Sequence, residues 1–291
     1  MTVRLDGVLV HPVKSMRGRR VHAATVEPWG LRGDRRWMVV RPDGECLTAR
    51  EDAGLLALTA DTPDTDAGLD AALRLRADGH DDLHVEVPAT APEPVTVHGR
   101  PLTASAAGEE AHRWLRAALG RDDVRLVHVD EPRPLSPRHG RPGEATAFAD
   151  GYPLTLATRA SLRRLQDWVT ATALESGAEP TALQMERFRP NLVLDGDLEP
   201  FEEDDWGHVT VGAVTLRVPK PVDRCVMTTI DPESRERGPE PIRTLARHRK
   251  WDGATWFAVQ LVPESVGEVR VGDEVLPAPR AAGGGPAGDG A

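Results

Sequence analysis

Only two of the 291 residues are cysteine, Cys46 and Cys225. Two thiols cannot build a disulfide framework. They also cannot hold an iron–sulfur cluster or a structural zinc, whose ligands are mostly cysteine. Lysine is nearly as scarce, with only Lys14, Lys220 and Lys250. Acidic residues outnumber basic ones 46 to 36, a formal charge of −10, which argues against a general polyanion binder, so no nucleic-acid partner is expected. No apolar run approaches the roughly 18 residues a spanning helix needs. Met1–Asp6 lacks the basic-then-apolar order of a secretory signal. The expectation is a cytoplasmic protein with no membrane partner. Phosphate-binding and dinucleotide-binding glycine loops, the Gly-x-Ser-x-Gly elbow, two-histidine zinc helices and internal repeats are missing as well.

What is present is globular: 40% apolar and 28% charged residues, in a length that fits one large domain or two ordinary ones. Short β-like runs separated by Pro, Gly and Asp clusters dominate the first half: Val3–Pro12, Arg20–Glu27, Arg36–Arg41, Leu55–Ala60, Leu73–Arg76, Leu83–Val87, Val95–His98 and Val124–Val129. The spacing of Ala111, Trp114, Leu115, Ala118 and Leu119 predicts a helix over Glu109–Leu119, stopped by Gly120. Asp130–Asp150 has no periodicity and reads as a linker or functional loop near a domain boundary. Beyond it, Leu154–Ala157 reads as a strand, Ser161–Leu174 as a helix capped by Thr158, and Pro239–Arg249 as a short helix. Asn191–Leu194, His208–Val211, Val214–Val218, Val226–Ile230, Phe257–Val262 and Glu268–Val271 read as strands. The acidic run from Glu199 to Asp205 reads as a solvated loop, the scattered histidines as surface groups, Cys46 as structural, and Ala281–Ala291 as a flexible tail.

Cations gather at four places next to strands: Lys14-Ser15, Gly33-Asp34-Arg35-Arg36, Phe188-Arg189-Pro190-Asn191, and Arg224 beside Cys225. Arg presents a fork suited to phosphate and Lys a point charge. Cations beside a cysteine favour the thiolate, the form that attacks electrophiles or binds soft metals. A buried lone cysteine is instead an inert small hydrophobe.

Seven segments then occur together in order. They are His11-Pro12-Val13-Lys14-Ser15, Gly33-Asp34-Arg35-Arg36-Trp37-Met38, Leu47-Thr48-Ala49-Arg50, Phe148–Leu154, Arg187–Val193, Arg224-Cys225 with Thr228–Pro232, and Val271-Gly272-Asp273. In this the chain resembles the MOSC proteins that carry an N-terminal β-barrel domain, the group that includes the amidoxime-reducing components. The resemblance implies a mostly β fold with a few helices: an N-terminal barrel domain over 1–130, a MOSC domain over 131–279 packed against it, and the tail from 280 to 291. It implies a molybdenum cofactor whose metal takes Cys225 as its protein ligand. Lys14, Ser15, Arg35, Asp150, Gly151, Tyr152, Arg189, Asn191, Asp223, Arg224 and Gln260 would contact the cofactor, and Asp150 and Asp223 would relay protons.

The activity implied is reduction of N-hydroxylated or N-oxygenated small molecules. With no further cysteines for a cluster, electrons would come from a separate ferredoxin, flavoprotein or cytochrome. Relatives often have Ser at the position of Asp223, and some have small hydroxylated residues at those of Gly151 and Tyr152. Two other roles fit the same residues: a sulfur carrier with a persulfide on Cys225, or a non-catalytic protein that stores or delivers the cofactor.

Overall fold

A computed structural model describes residues 2–137 and 140–280; the predicted tail at 281–291 lies outside them. The chain is mostly strand, with three α-helices among the described residues. No helix there is long and apolar enough to cross a membrane. Contacts divide it into two units, one made of Leu9–Val21 with Trp29–Pro153, the other of the chain up to Val8, His22–Pro28 and the chain from Leu154 onward.

In the Trp29–Pro153 unit an antiparallel sheet runs in the order Trp37–Val40, Arg125–Val129, Arg100–Ala106, Glu93–Val97. Alternation along these strands points Met38, Val40, Val95, Val97, Ala104, Val127 and Val129 into one core with Cys46 and Phe148. A second sheet joins Thr59–Asp61, Leu73–Arg76 and Leu83–Val85. Helix α1, Glu109–Leu119, has Glu109 and Glu110 in its first turn and ends on Gly120 in the left-handed region (φ 63°), as its sequence predicts.

Two expectations change here. Leu55–Ala60 is not one strand; it begins as a 3₁₀ turn, Ala53–Ala57, because the Asp52 side chain accepts the Gly54 N–H and caps it. The segment after Asp130 is not a structureless loop. Arg133–Pro134 pairs with Ala145–Thr146, and the Arg133 guanidinium donates to the carbonyls of Ala149 (2.5 Å) and Asp150 (3.0 Å). Residues up to Pro153 therefore group with the preceding chain, whereas the sequence reading divided it at 130.

The other unit is organised on its longest strand, Ala254–Pro263, which pairs antiparallel with Leu154–Thr158, Val214–Arg217, Pro221–Asp223 and Lys250–Trp251. Leu154–Thr158 runs parallel to Leu192–Asp195, and helix α2, Arg159–Glu175, lies between them in sequence. Arg4–Val10 extends the sheet beyond Leu192–Asp195. On the far side Trp206–Val211 and Val275–Pro279 complete it. The Thr158 hydroxyl caps α2 by accepting the Ser161 N–H (3.1 Å), and Leu162, Leu165, Val169 and Ala173 form the buried stripe. The third helix, α3, is shorter than its expected span and covers Ile242–His248.

Two further expectations fail. Val226–Ile230 is not a strand but a 3₁₀ turn over Val226–Thr229. The Thr228 N–H and hydroxyl both bond the Cys225 carbonyl, at 3.1 and 3.0 Å, a local bond that hydroxylated residues offer in competition with a strand ladder. The acidic run is not wholly solvated either. Glu203 has no exposed surface, and its carboxyl group meets the hydroxyls of Ser161 (2.7 and 2.9 Å) and Thr158 (3.3 Å) at the start of α2.

Burial pushes Glu203 up to about 7 from its ordinary 4.5, outweighing its hydrogen bonds to Ser161 and Thr158. The folded state then holds a proton that the unfolded chain releases near pH 4.5. The stabilisation this provides is complete below pH 4.5 and is lost as pH rises through about 7. Glu203→Gln, which cannot ionise, gains up to about 3 kcal/mol relative to wild type between pH 5 and pH 8. Urea denaturation of both proteins at the two pH values measures the difference.

Candidate functional site

In the Trp29–Pro153 unit the segment after strand Arg4–Val10 is laced to the segment 34–37. His11 N–H donates to Asp34 Oδ1 (2.6 Å). Arg35 and Trp37 N–H donate to the carbonyls of His11 and Pro12 (2.7 and 3.1 Å), and Lys14 N–H donates to that of Trp37 (2.8 Å). Ser15 and Arg35 are left with φ of 69° and 49°, a left-handed conformation that costs a non-glycine residue about 1 kcal/mol or more and persists where its surroundings impose it. Arg35 is ion-paired to Asp34.

Lys14, only 5% exposed, donates its ammonium to the Phe148 carbonyl (2.8 Å) and the Asp150 carboxylate. Arg50 reaches the other Asp150 oxygen (2.9 Å), and His98 Nε2 lies 3.2 Å from Oδ1. Packing around the Asp150 carboxyl pushes it up, but the Lys14 charge and the hydrogen bonds of His98 and Lys14 prevail and hold it well below the usual carboxylate range. Half of its side chain still faces solvent. Gly151 has open space where a side chain would stand, and Tyr152 is half-buried. Lys14 and Asp150 thus come together. His98, Arg50 and Arg133 join them without having been singled out, although Arg50 closes one of the quoted segments.

In the unit built on Ala254–Pro263, Cys225 sits at the end of strand Pro221–Asp223. Asp223 is in register with Trp256, Arg224 N–H donates to the Thr255 carbonyl (2.8 Å), and the Thr255 hydroxyl donates to that of Arg224 (3.0 Å). The Arg224 side chain turns inward, its Nε on the Phe257 carbonyl (2.8 Å) and Nη1 on that of Phe188 (3.0 Å). The Phe188 and Phe257 rings stack 4.0 Å apart, with the guanidinium 5.4 and 5.9 Å from their centroids. Arg224 Nη2 is buried with no hydrogen-bond partner among the described residues. Burial pulls this guanidinium down to about 9, against the opposing pull of Cys225 and Asp223, so it remains charged at neutral pH.

Cys225 itself is exposed, as are Asp223 and Val226. Lys220 lies over the Trp256 ring at 5.2 Å. Arg189 is left-handed (φ 49°) at the end of the 3₁₀ turn Met185–Phe188. Arg187, paired to Asp231 at 2.6 Å, braces that turn. Asn191 is fully buried. Its Oδ1 accepts the Thr155 N–H (3.2 Å) while its own N–H donates to the Thr155 carbonyl (2.8 Å). The Thr155 hydroxyl donates to Gln260 Oε1 (3.4 Å). Asn191 and Gln260 are therefore joined through Thr155, which the sequence did not flag. The Phe188 and Phe257 carbonyls are likewise invisible in sequence, since any residue type supplies a carbonyl.

Comparison with known proteins adds the following. Residues 2–122 match the MOSC N-terminal beta barrel domain and residues 143–276 the MOSC domain. The chain is similar to mitochondrial amidoxime-reducing component 1 of Homo sapiens, 31% identical over 91% of this chain and 80% of that one. It is also similar to the mouse (Mus musculus) protein of that name, 30% identical over 91% and 79%. Among solved structures it aligns with the YUAD protein from Bacillus subtilis at 12% identity and a TM-score of 0.39, covering 94% of each chain.

The two thiols differ in access, Cys225 exposed and Cys46 at 2%. In the folded protein a water-soluble disulfide reagent titrates Cys225 alone, and Cys46 becomes reactive only on unfolding. Cys225→Ser removes the fast phase. Fast labelling of both thiols in the native state contradicts this geometry.

Proposed function

We propose, from the premise that this chain belongs to the MOSC family in the form with an N-terminal β-barrel domain, that it binds a molybdenum cofactor through Cys225. We read its activity as reduction of N-hydroxylated small molecules with electrons from a separate redox protein. The observation that carries this reading is Arg224: a buried guanidinium with one N–H-bearing nitrogen left unmatched, immediately before an exposed cysteine. An unmatched buried donor costs about 1–3 kcal/mol and is accounted for if an anionic group takes the bond. The donor set fits the cofactor. A lone soft thiolate suits a metal whose other sulfur ligands come from elsewhere, and a fixed Arg suits an anion.

When bound, the cofactor supplies the two-electron chemistry that releases the hydroxyl oxygen of the substrate as water. The protein's part is charge, orientation and protons. Cys225 offers the sulfur from a rigid position, since Thr228 ties its carbonyl and Thr255 ties its neighbour. Arg224, held by two carbonyls, directs its remaining N–H groups without having to reorganise. Arg189, at the end of its 3₁₀ turn in the same unit, contributes a further positive charge to the anionic cofactor. Asp150, held well below the usual carboxylate range, is an anchor for Lys14 rather than a proton donor at neutral pH. Asp223, exposed beside Arg224, is the carboxylate assigned to proton relay.

Protein produced in a host that makes the cofactor should carry about one molybdenum and one pterin per chain, and reduce benzamidoxime with a chemical electron donor. Cys225→Ala should lose the metal and the activity together; activity that survives in this variant overturns the reading. Molybdenum-free protein that releases thiocyanate on cyanide treatment would instead identify a persulfide carrier. Bound cofactor without turnover of any N-oxygenated substrate would identify a storage or delivery protein.

A further inference from the structure

We infer that Glu45, Cys46 and His98 form a second site, for a divalent transition-metal ion of the zinc type, separate from Cys225. One ligand atom from each of the three lies within 4.8 Å of the other two, and Cys46 Sγ lies 3.5 Å from Glu45 Oε1. In a tetrahedral zinc centre, with bonds of about 2.3 Å to sulfur and about 2.0 Å to oxygen or nitrogen, the sulfur–oxygen edge is about 3.5 Å and the oxygen–nitrogen edge about 3.3 Å. The first edge is already at length, and the others close by at most about 1.5 Å, which side-chain rotation of the exposed imidazole supplies.

The backbone fixes the three residues relative to one another. Cys46 N–H donates to the Thr96 carbonyl (3.0 Å) and Thr96 N–H to that of Gly44 (2.9 Å). His98 follows directly after that strand, held at φ 51°, and its N–H donates to Glu45 Oε1 (2.9 Å). The remaining Glu45 oxygen accepts the Thr96 hydroxyl.

His98 Nε2 also lies 3.2 Å from Asp150 Oδ1, the carboxylate–imidazole pairing that orients a histidine for metal binding. The mixed sulfur, nitrogen and oxygen donors favour zinc or cobalt over magnesium or calcium, which take oxygen alone. Thiolate and carboxylate balance a 2+ charge. The cations on this side, Lys14 and Arg50, are both committed to Asp150. Binding replaces the thiol proton now lying toward Glu45: the S–H bond breaks, the sulfur–metal bond forms and one proton goes to water. Oxidation states do not change, and a fourth position stays open to water. Cys46 is buried at 2% while His98 is exposed, so the ion enters from the imidazole side.

Titration of the full-length apoprotein with Co(II) tests this. The expected result is one equivalent bound, with the visible bands of four-coordinate cobalt and a near-ultraviolet sulfur-to-cobalt charge-transfer band, both bleached by added zinc. Cys46→Ser removes the charge-transfer band and Cys225→Ser leaves it. Asp150→Asn, which frees the imidazole, weakens binding about 10–100-fold. His98→Ala, at an exposed ring, abolishes four-coordinate binding while circular dichroism stays unchanged. A purely hydrated, six-coordinate cobalt spectrum overturns the site. So does a band that survives Cys46→Ser or His98→Ala, or one that disappears in Cys225→Ser.

Discussion

Taking the Arg224 guanidinium out of water obliges the protein to match its N–H groups with carbonyl oxygens, because a buried charge without partners is prohibitively costly. Two oxygens, from Phe188 and Phe257, meet that demand for Nε and Nη1 and leave Nη2 unmatched, and much of the cysteine-bearing unit follows from holding them in place. Phe257 lies on the ten-residue strand Ala254–Pro263, whose pairing with Pro221–Asp223 also delivers Arg224. Phe188 ends a 3₁₀ turn braced by the Arg187–Asp231 ion pair. Cys225 is outside on the surface because its predecessor is inside: in an extended backbone, adjacent side chains take opposite sides. The thiol owes its exposure to the arginine.

The other unit uses the opposite sign for the same purpose. Asp150 gathers Lys14, Arg50 and His98, and Arg133 holds its backbone. One carboxylate thereby positions three basic side chains drawn from distant parts of the sequence. Exposed ion pairs are usually worth little. This carboxylate matters for geometry more than for stability, since it fixes the ammonium of a 5%-exposed lysine.

How much of this was readable from the sequence varies with the range of the interaction involved. Helix α1 and its glycine stop, and α2 with its Thr158 cap, were legible because caps and 3.6-residue periodicity are local properties. The turn after Cys225 was misread as a strand because Val226, Thr228 and Thr229 have strand propensity, whereas hydroxyl bonds to preceding carbonyls decide the outcome. Glu203 was misread as solvated because nothing in an acidic run says that one member faces the hydroxyls capping a helix forty residues earlier in the chain. Lys14, Arg35, Arg189 and Arg224 stood out as cations next to strands, but His98, Thr155 and the two phenylalanine carbonyls carry no mark in the sequence.

The sequence by itself determined the chemical inventory: two thiols, scarce lysine, an acidic surface, and the ordered segments that identify the family. It also settled the mostly β composition, through the alternation and turn residues that short strands require. Only the tertiary structure decided which of those groups act together. It turned Arg224 inward and Cys225 outward, drew Lys14, Arg50 and His98 onto Asp150, and set ligand atoms of Glu45, Cys46 and His98 within 4.8 Å of one another. The physical reason is that charge, burial and hydrogen-bond satisfaction depend on neighbours in space. Those neighbours are fixed by strand register, which no single segment of the chain contains.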